Sequence, residues 1–151
     1  MDREELVRKY AGGEKDFTGR RRGGLRYKSI RGGIYSEADF SRRYFDGGSF
    51  IEVDLSFANF RGVQMYESSF QNCFMEGVNF TSAKFGQVGF YNVNLTRAIF
   101  KNATLGEAGF NKVNLSYADL SGVKRFNEVS FNDVIFHETI MPDGSIRTDN
   151  A

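Results

Sequence analysis

One sequence feature limits the fold more than any other: from Leu25 to Leu120, every fifth residue is apolar or aromatic. The series runs Leu25, Ile30, Tyr35, Phe40, Phe45, Phe50, Leu55, Phe60, Met65 and Phe70. It continues through Met75, Phe80, Phe85, Phe90, Leu95, Phe100, Leu105, Phe110, Leu115 and Leu120. In a chain that is 40% hydrophobic, chance yields twenty such positions on the order of once in 10⁸ trials. A step of five smears an apolar set around a helix, which turns about 100° per residue. In a strand it alternates faces. The chain must therefore turn a corner once per repeat, with each fifth side chain held inward.

A second position agrees. Two residues before each centre stand Ala38, Gly48, Val53, Ala58, Val63, Ser68, Cys73, Val78 and Ala83, and the pattern continues to Ala118. Apart from Arg43, these residues are small or β-branched, as a cramped interior slot requires. Segments such as Ala58-Asn59-Phe60, Val93-Asn94-Leu95-Thr96, Val113-Asn114-Leu115-Ser116 and Ala118-Asp119-Leu120-Ser121 resemble the A(D/N)LXX unit of pentapeptide-repeat proteins. The resemblance implies an all-β, right-handed quadrilateral β-helix in which four pentapeptides make one square coil. Residues twenty apart should then stack about 4.8 Å apart. The sequence carries that longer period: Phe40, Phe60, Phe80 and Phe100 form one column, and Phe50, Phe70, Phe90 and Phe110 another. Leu55, Met75, Leu95 and Leu115 form an aliphatic column, with Val53, Cys73, Val93 and Val113 beside it.

The ends of such a rod need caps, because they expose backbone and apolar surface. Residues 2–12 read as a short capping α-helix, with Asp2 and Glu5 as a capping box, Leu6, Val7 and Tyr10 as its apolar face, and Gly12-Gly13 as its stop. Residues 16–37 read as an irregular basic entry segment, since Lys28 and Arg43 interrupt the small slot. The β-helix is expected over 38–141. After Leu120 the frame slips by one residue and restarts at Phe126, Phe131, Phe136 and Met141, which predicts a bulged corner. Pro142-Asp143-Gly144 then predicts a turn, and 142–151 a closing hairpin and tail. Such an ending is similar to that of cyanobacterial members of the family.

Charge and composition exclude several function classes. Twenty basic and nineteen acidic residues give a net charge of +1, unlike a general polyanion binder or an acidic nucleic-acid mimic. One Cys and one His exclude a disulfide framework, a CxxC motif and a His-rich metal centre, so no metal or cofactor is expected. Cys73 reads as a packed interior residue and His137 as a surface one. Glu67 and Glu107 share an outward column roughly 10 Å apart with Gln87 between them, a pattern that solvated repeat positions explain equally well. No catalytic cluster emerges, so the chain is read as a non-enzyme. No run of about 18 apolar residues is present for a membrane span. The charged first fifteen residues lack a signal-peptide core, so a cytoplasmic location is expected.

Two groups of residues are candidate interaction sites. The first is basic: Arg20, Arg21, Arg22 and Arg26 in an N-terminal region where residues 1–50 sum to +4. It could meet nucleic acid or an acidic partner, although a solvated loop accounts for it better. The second is apolar: Phe57, Phe74, Ile99 and Tyr117 fall in outward slots, with Ile51 and Tyr91 in an adjacent column, a grouping that reads equally as a contact surface or as packing against the N-terminal segment or one another. Small outward residues (Gly86 and Gly106; Ser49, Ser69, Gly89 and Gly109) mark places where another backbone could approach, or where corners need room. The functional expectation is a rigid protein–protein interaction or scaffold module with a protein partner. Some members of the resembled family match B-DNA in width and charge and bind DNA gyrase in its place. The span from Ala38 to Met141 holds 9 basic and 11 acidic residues, too weak a negative charge for that role. The hairpin ending predicts a monomer over the dimer that parts of the family form through a terminal coil.

Overall fold

The computed structural model describes residues 3–13 and 29–151. Among these residues, helix α1 (Arg3–Ala11) is followed by eleven strands, and the chain winds into a β-solenoid of about five turns. Strands β1 (Ile30–Arg31), β3 (Ser49–Ile51), β5 (Ser69–Gln71), β7 (Gly89–Asn94), β9 (Gly109–Asn114), β10 (Ser130–Ile140) and β11 (Ile146–Asn150) line one side as a seven-stranded sheet. Strands β2 (Tyr44–Asp46), β4 (Gln64–Tyr66), β6 (Lys84–Gly86) and β8 (Thr104–Gly106) form a second sheet. Successive coils pair in parallel at an offset of twenty, as in Phe50↔Phe70↔Phe90↔Phe110.

The corner chemistry explains why five residues make one side. Every fifth residue from Gly32 to Gly122 has a positive φ, two positions after each inward centre. Where the corner is tightest the chain closes an i→i+3 hydrogen bond: Ala58 N–H donates to the Leu55 carbonyl at 3.0 Å, and Val63 N–H to that of Phe60 at 3.1 Å. A positive φ at the third residue of such a turn is the requirement of type II geometry. The residue before the centre supports it when it is Asp or Asn. Asp54 Oδ1 accepts the Ser56 N–H at 2.9 Å, and Asn59, Asn79, Asn94, Asn114 and Asp119 do the same for Arg61, Thr81, Thr96, Ser116 and Ser121. These Asx contacts bind a backbone donor that would otherwise face solvent at the bend.

The repeat centres fill the rod. Each described member of the five-residue series, from Ile30 to Leu120, is at most 2% exposed. Within a column the rings stack in parallel, with Phe50–Phe70 centroids 5.2 Å apart and Phe90–Phe110 4.8 Å apart. Across the core, the two Phe columns meet edge to face, as in Phe50–Phe60 and Phe60–Phe70, both at 5.9 Å. Both geometries suit the ring quadrupole, and each pair adds about 0.5–1.5 kcal/mol beyond area burial.

Among the described residues, pairing between coils is already present at Ile30, opposite Phe50. Gly33 takes the small slot before Tyr35, and a Cβ there would stand 2.6 Å from the Tyr35 hydroxyl. Arg43 is tolerated in the same slot two sides later because it is only half-buried at the first coil. Burial pushes its guanidinium below the usual arginine range, and Glu5 of α1 pulls in the opposite direction. Helix α1 also meets the rod through Tyr10, whose hydroxyl donates to the Ser36 carbonyl at 2.9 Å and whose ring packs edge-on to Tyr35 at 5.4 Å. Val7 is 37% exposed, while Asp2 and the Leu6 side chain lie outside the described residues.

The frame slip falls at a 3-10 turn, Phe126–Glu128, entered through Arg125 in the left-handed region. Before it Thr104 pairs with Lys124, an offset of twenty; after it Gly109 pairs with Ser130, an offset of twenty-one. Phe126 therefore sits half-buried on the turn, and the inward series resumes at Phe131, Phe136 and Met141. The hairpin closes as expected. Gly144 N–H donates to the Met141 carbonyl and Met141 N–H to that of Ser145, with Gly144 at φ 85°.

Candidate interaction face

The Asx ladder defines the outward surface of two sides, and its interruptions are the most informative residues on the molecule. One column reads Ile34, Asp54, Phe74, Asn94, Asn114, with Ile135 continuing it after the slip. The next reads Asp39, Asn59, Asn79, Ile99, Asp119. Where Ile34, Phe74 and Ile99 stand, no side-chain oxygen receives the following backbone N–H. In exchange, each displays an apolar group: Ile34 is 66% exposed, Phe74 64% and Ile99 36%. The corner between these sides adds Phe57 and Tyr117, 57% and 44% exposed. These five residues occupy one edge of the rod.

Of the sequence candidates, Phe57, Phe74, Ile99, Tyr117 and Tyr91 are exposed as their slots required, whereas Ile51 is half-buried between Arg31 and Gln71 in the ladder. Ile34 and Ile135 were not singled out by the sequence reading. The column of Phe74 contained both: Ile34 lies forty residues upstream, and Ile135 is reached once the slip is counted. Arg20, Arg21, Arg22 and Arg26 lie outside the described residues.

Charge and polarity around this edge are specific. Arg31 pairs with Glu52 at 3.4 Å and Arg97 with Glu76 at 3.2 Å, each joining adjacent coils. The Arg97 guanidinium also lies 5.1 Å over the Tyr117 ring, whose edge meets His137 at 5.2 Å. Between Phe74 and Ile135 runs an open groove of about 600 Å³, floored by Asn94 and Asn114 and bordered by Asn72, Asn92 and Lys112. Asn92 donates to Asn72 at 2.8 Å across the coils.

Several outward glycines are covered by side chains of the chain itself. A Cβ on Gly77 would stand 2.5 Å from the Phe57 ring, one on Gly86 would meet Tyr66 at 2.8 Å, and one on Gly106 would meet Arg125 at 2.6 Å. Gly77, Gly86 and Gly106 are seats for neighbouring side chains.

Catalytic or metal chemistry has few elements to work with. Among the described residues, no group of three or more His, Cys, Asp or Glu could hold a metal ion. Gln87 donates to Glu107 at 2.8 Å, which extends a polar ladder. Cys73 is 3% exposed and donates to the Phe50 and Gln71 carbonyls, both at 3.3 Å; burial pushes its thiol up. No helix of the described residues is long and apolar enough to cross a membrane.

A family model described as the pentapeptide repeat region matches residues 38–120, more than half the chain. The chain belongs to the pentapeptide-repeat family. No curated protein matches it. Among solved structures it is similar to the pentapeptide-repeat protein Rfr23 from the cyanobacterium Cyanothece 51142, at 16% identity and a TM-score of 0.64, over 85% of this chain and 97% of that one. It is also similar to QnrB1, a plasmid-mediated fluoroquinolone resistance protein, at 17% identity and a TM-score of 0.59, over 80% of this chain. In that comparison this pentapeptide-repeat protein spans 66% of QnrB1, just under two thirds of its length. At these identities the likeness is one of fold.

Proposed function

We propose that this pentapeptide-repeat protein is a non-catalytic interaction module whose edge formed by Ile34, Phe57, Phe74, Ile99 and Tyr117 contacts a protein partner. The observation that carries the reading is the replacement of Asx residues by Ile34, Phe74 and Ile99. An Asp or Asn in that slot satisfies a backbone donor, and its neighbours in the column keep it. An exposed Phe forgoes that contact and adds apolar surface to water, a local loss that binding would offset. Repeat rods suit such a role, because each coil presents side chains at a fixed spacing.

The test compares affinity capture from source lysate on the wild-type chain with capture on Phe74→Asn and Phe57→Ser. Loss of a specifically retained protein in both variants supports the reading; equal retention, or nothing retained by the wild type, ends it. A gyrase-directed role ranks lower. The net charge of −2 from Ala38 to Met141 is a poor substitute for the phosphate charge that a DNA-binding groove selects, and potent inhibition in a supercoiling assay would reverse that ranking. Nucleic-acid or acidic-partner binding by the basic N-terminal region ranks lower still; a gel shift that weakens steeply with salt would raise it.

A further inference from the structure

The near-neutral charge of the rod hides a segregation. Of the 9 basic residues between Ala38 and Met141, Arg97 and Arg125 are ion-paired and Arg43 occupies an inward slot. Five of the other six lie on one corner: Arg42, Arg61, Lys84, Lys101 and Lys124. All five are exposed, and among the described residues none takes part in an ion pair.

The parallel register fixes their places. Lys84 and Lys124 belong to the column Tyr44↔Gln64↔Lys84↔Thr104↔Lys124. Arg61 and Lys101 stand just before the same corner, where Arg42 N–H donates to the Arg61 carbonyl and Ser82 N–H to that of Lys101. Each of five successive coils thus contributes one cation, about 4.8 Å further along the rod. The fifteen outward positions of these two columns and the corner between them hold no Asp or Glu. Gly62, Ser82 and Gly122 keep the corner low, and Arg42 lies along it over Gly62, so both columns reach one line.

We propose that this corner binds the phosphate backbone of a nucleic-acid duplex, without reading its sequence. A row of single cations fits a row of single anions, and each strand of a duplex is such a row, with one phosphate per about 3.4 Å of helix axis. Phosphates are held by Lys and Arg together with neutral donors. Four coils set such a donor beside the cation: Gln64 with Arg61, Ser82 with Lys84, Thr104 with Lys101 and Ser121 with Lys124. The one large apolar side chain of the strip is Tyr44, at the first coil. That leaves too few platforms for the bases of a single strand, and no row of anchors for a membrane surface. The strip is one corner further along the chain than Phe57 and Tyr117, so this contact is separate from the one proposed for the apolar edge.

Fluorescence anisotropy of the full chain with short labelled DNA duplexes of unrelated sequence, titrated with salt, tests this. Five phosphate contacts give an expected slope of log K against log salt of about −4.5, the same for each duplex. Arg61→Gln, Lys84→Gln, Lys101→Gln and Lys124→Gln should each make the slope shallower by about 0.9. Lys112→Gln removes an exposed cation from another corner and should leave the slope unchanged. Absence of binding at the lowest salt overturns the proposal, as does a slope that the strip variants leave at the wild-type value. An equal change in Lys112→Gln would trace binding to overall charge. A change confined to the triple variant Arg20→Gln, Arg21→Gln, Arg22→Gln would trace it to the N-terminal region. Tighter binding of poly-glutamate or of phosphatidylserine vesicles through the same five residues would assign the strip to an acidic protein or a membrane. Each of these outcomes overturns the proposal.

Discussion

The Phe57 ring lies over Gly77 on the adjacent coil, in the space where a Cβ on Gly77 would stand 2.5 Å from the ring. Both residues occupy left-handed corners, with φ 59° and 65°. The corner glycine thus serves two needs at once, a backbone conformation and a seat for the exposed aromatic. Gly62 has the same φ of 65° but would meet only the Arg42 side chain, at 3.6 Å. Gly62→Ala should therefore cost only the conformational part, about 1 kcal/mol. Gly77→Ala should cost roughly 1–3 kcal/mol more through overpacking. Adding Phe57→Ala to Gly77→Ala should remove most of that excess, while adding it to Gly62→Ala should not. Urea denaturation of the two double-mutant cycles checks this.

Phe74 interrupts a column in which Asp54 and Asn94 each accept the N–H two residues on. Replacing it with Asn restores the ladder and removes exposed apolar surface. Phe74→Asn should raise stability by about 0.5–1 kcal/mol, and Asn94→Ala should lower it by a similar amount. Opposite signs at neighbouring positions of one column, read as shifts of the urea midpoint, are the expected outcome.

The core was legible in the sequence because its constraint is periodic. Phe40, Phe60 and Phe80 reveal an inward column by spacing alone, and the parallel register of twenty follows. What escaped was set by single contacts rather than by the period. The seat that Gly33 leaves for the Tyr35 ring is one such contact, and the half-buried Phe126 depends on a 3-10 turn at one corner. Among surface residues, Phe74 announced itself by breaking a polar slot, whereas Ile135 was hidden behind a one-residue slip. Conversely, the glycines at 86 and 106 looked open in the sequence because their occupants, Tyr66 and Arg125, come from neighbouring coils.

Phe70 is stacked between Phe50 and Phe90, both at 5.2 Å, and meets Phe60 and Phe80 edge-on. Phe70→Ala removes a fully buried ring from a site whose four neighbours belong to other sides and coils and cannot all collapse inward. A loss of about 3–5 kcal/mol is expected. Phe57→Ala removes a ring of the same size from the surface and should cost far less. Thermal denaturation of the pair checks the contrast.

Cys73 is enclosed in the small slot, and desolvation raises its thiol above the ordinary range. The reactive thiolate is therefore scarce at neutral pH, and the sulfur is also out of reach. Labelling by a thiol reagent should be at least about a hundredfold slower in the native protein than in urea. It should rise with denaturant in step with global unfolding. Fast labelling of the native chain at neutral pH would mean that the coil around residue 73 opens locally.

The hairpin that closes the rod depends on Asp143, whose Oδ1 accepts from both the Ser145 hydroxyl at 2.6 Å and the Ser145 N–H at 2.9 Å. These bonds hold the Asp143 carboxyl below its ordinary range, the hydroxyl contributing most. A depressed carboxylate contributes stability that is complete above its unfolded value and is lost as pH falls through its folded value. Acidification should therefore loosen the turn between β10 and β11, because the unfolded hairpin takes up the proton more readily. Amide exchange of Met141 and Gly144, corrected for intrinsic rates, should accelerate relative to Phe70 as the pH falls through the carboxylate range. In Asp143→Asn the amide oxygen keeps a weaker acceptor at all pH values, so that variant should start with faster exchange and lose the acid-dependent step. An acid response equal in both proteins would assign the effect to another carboxylate.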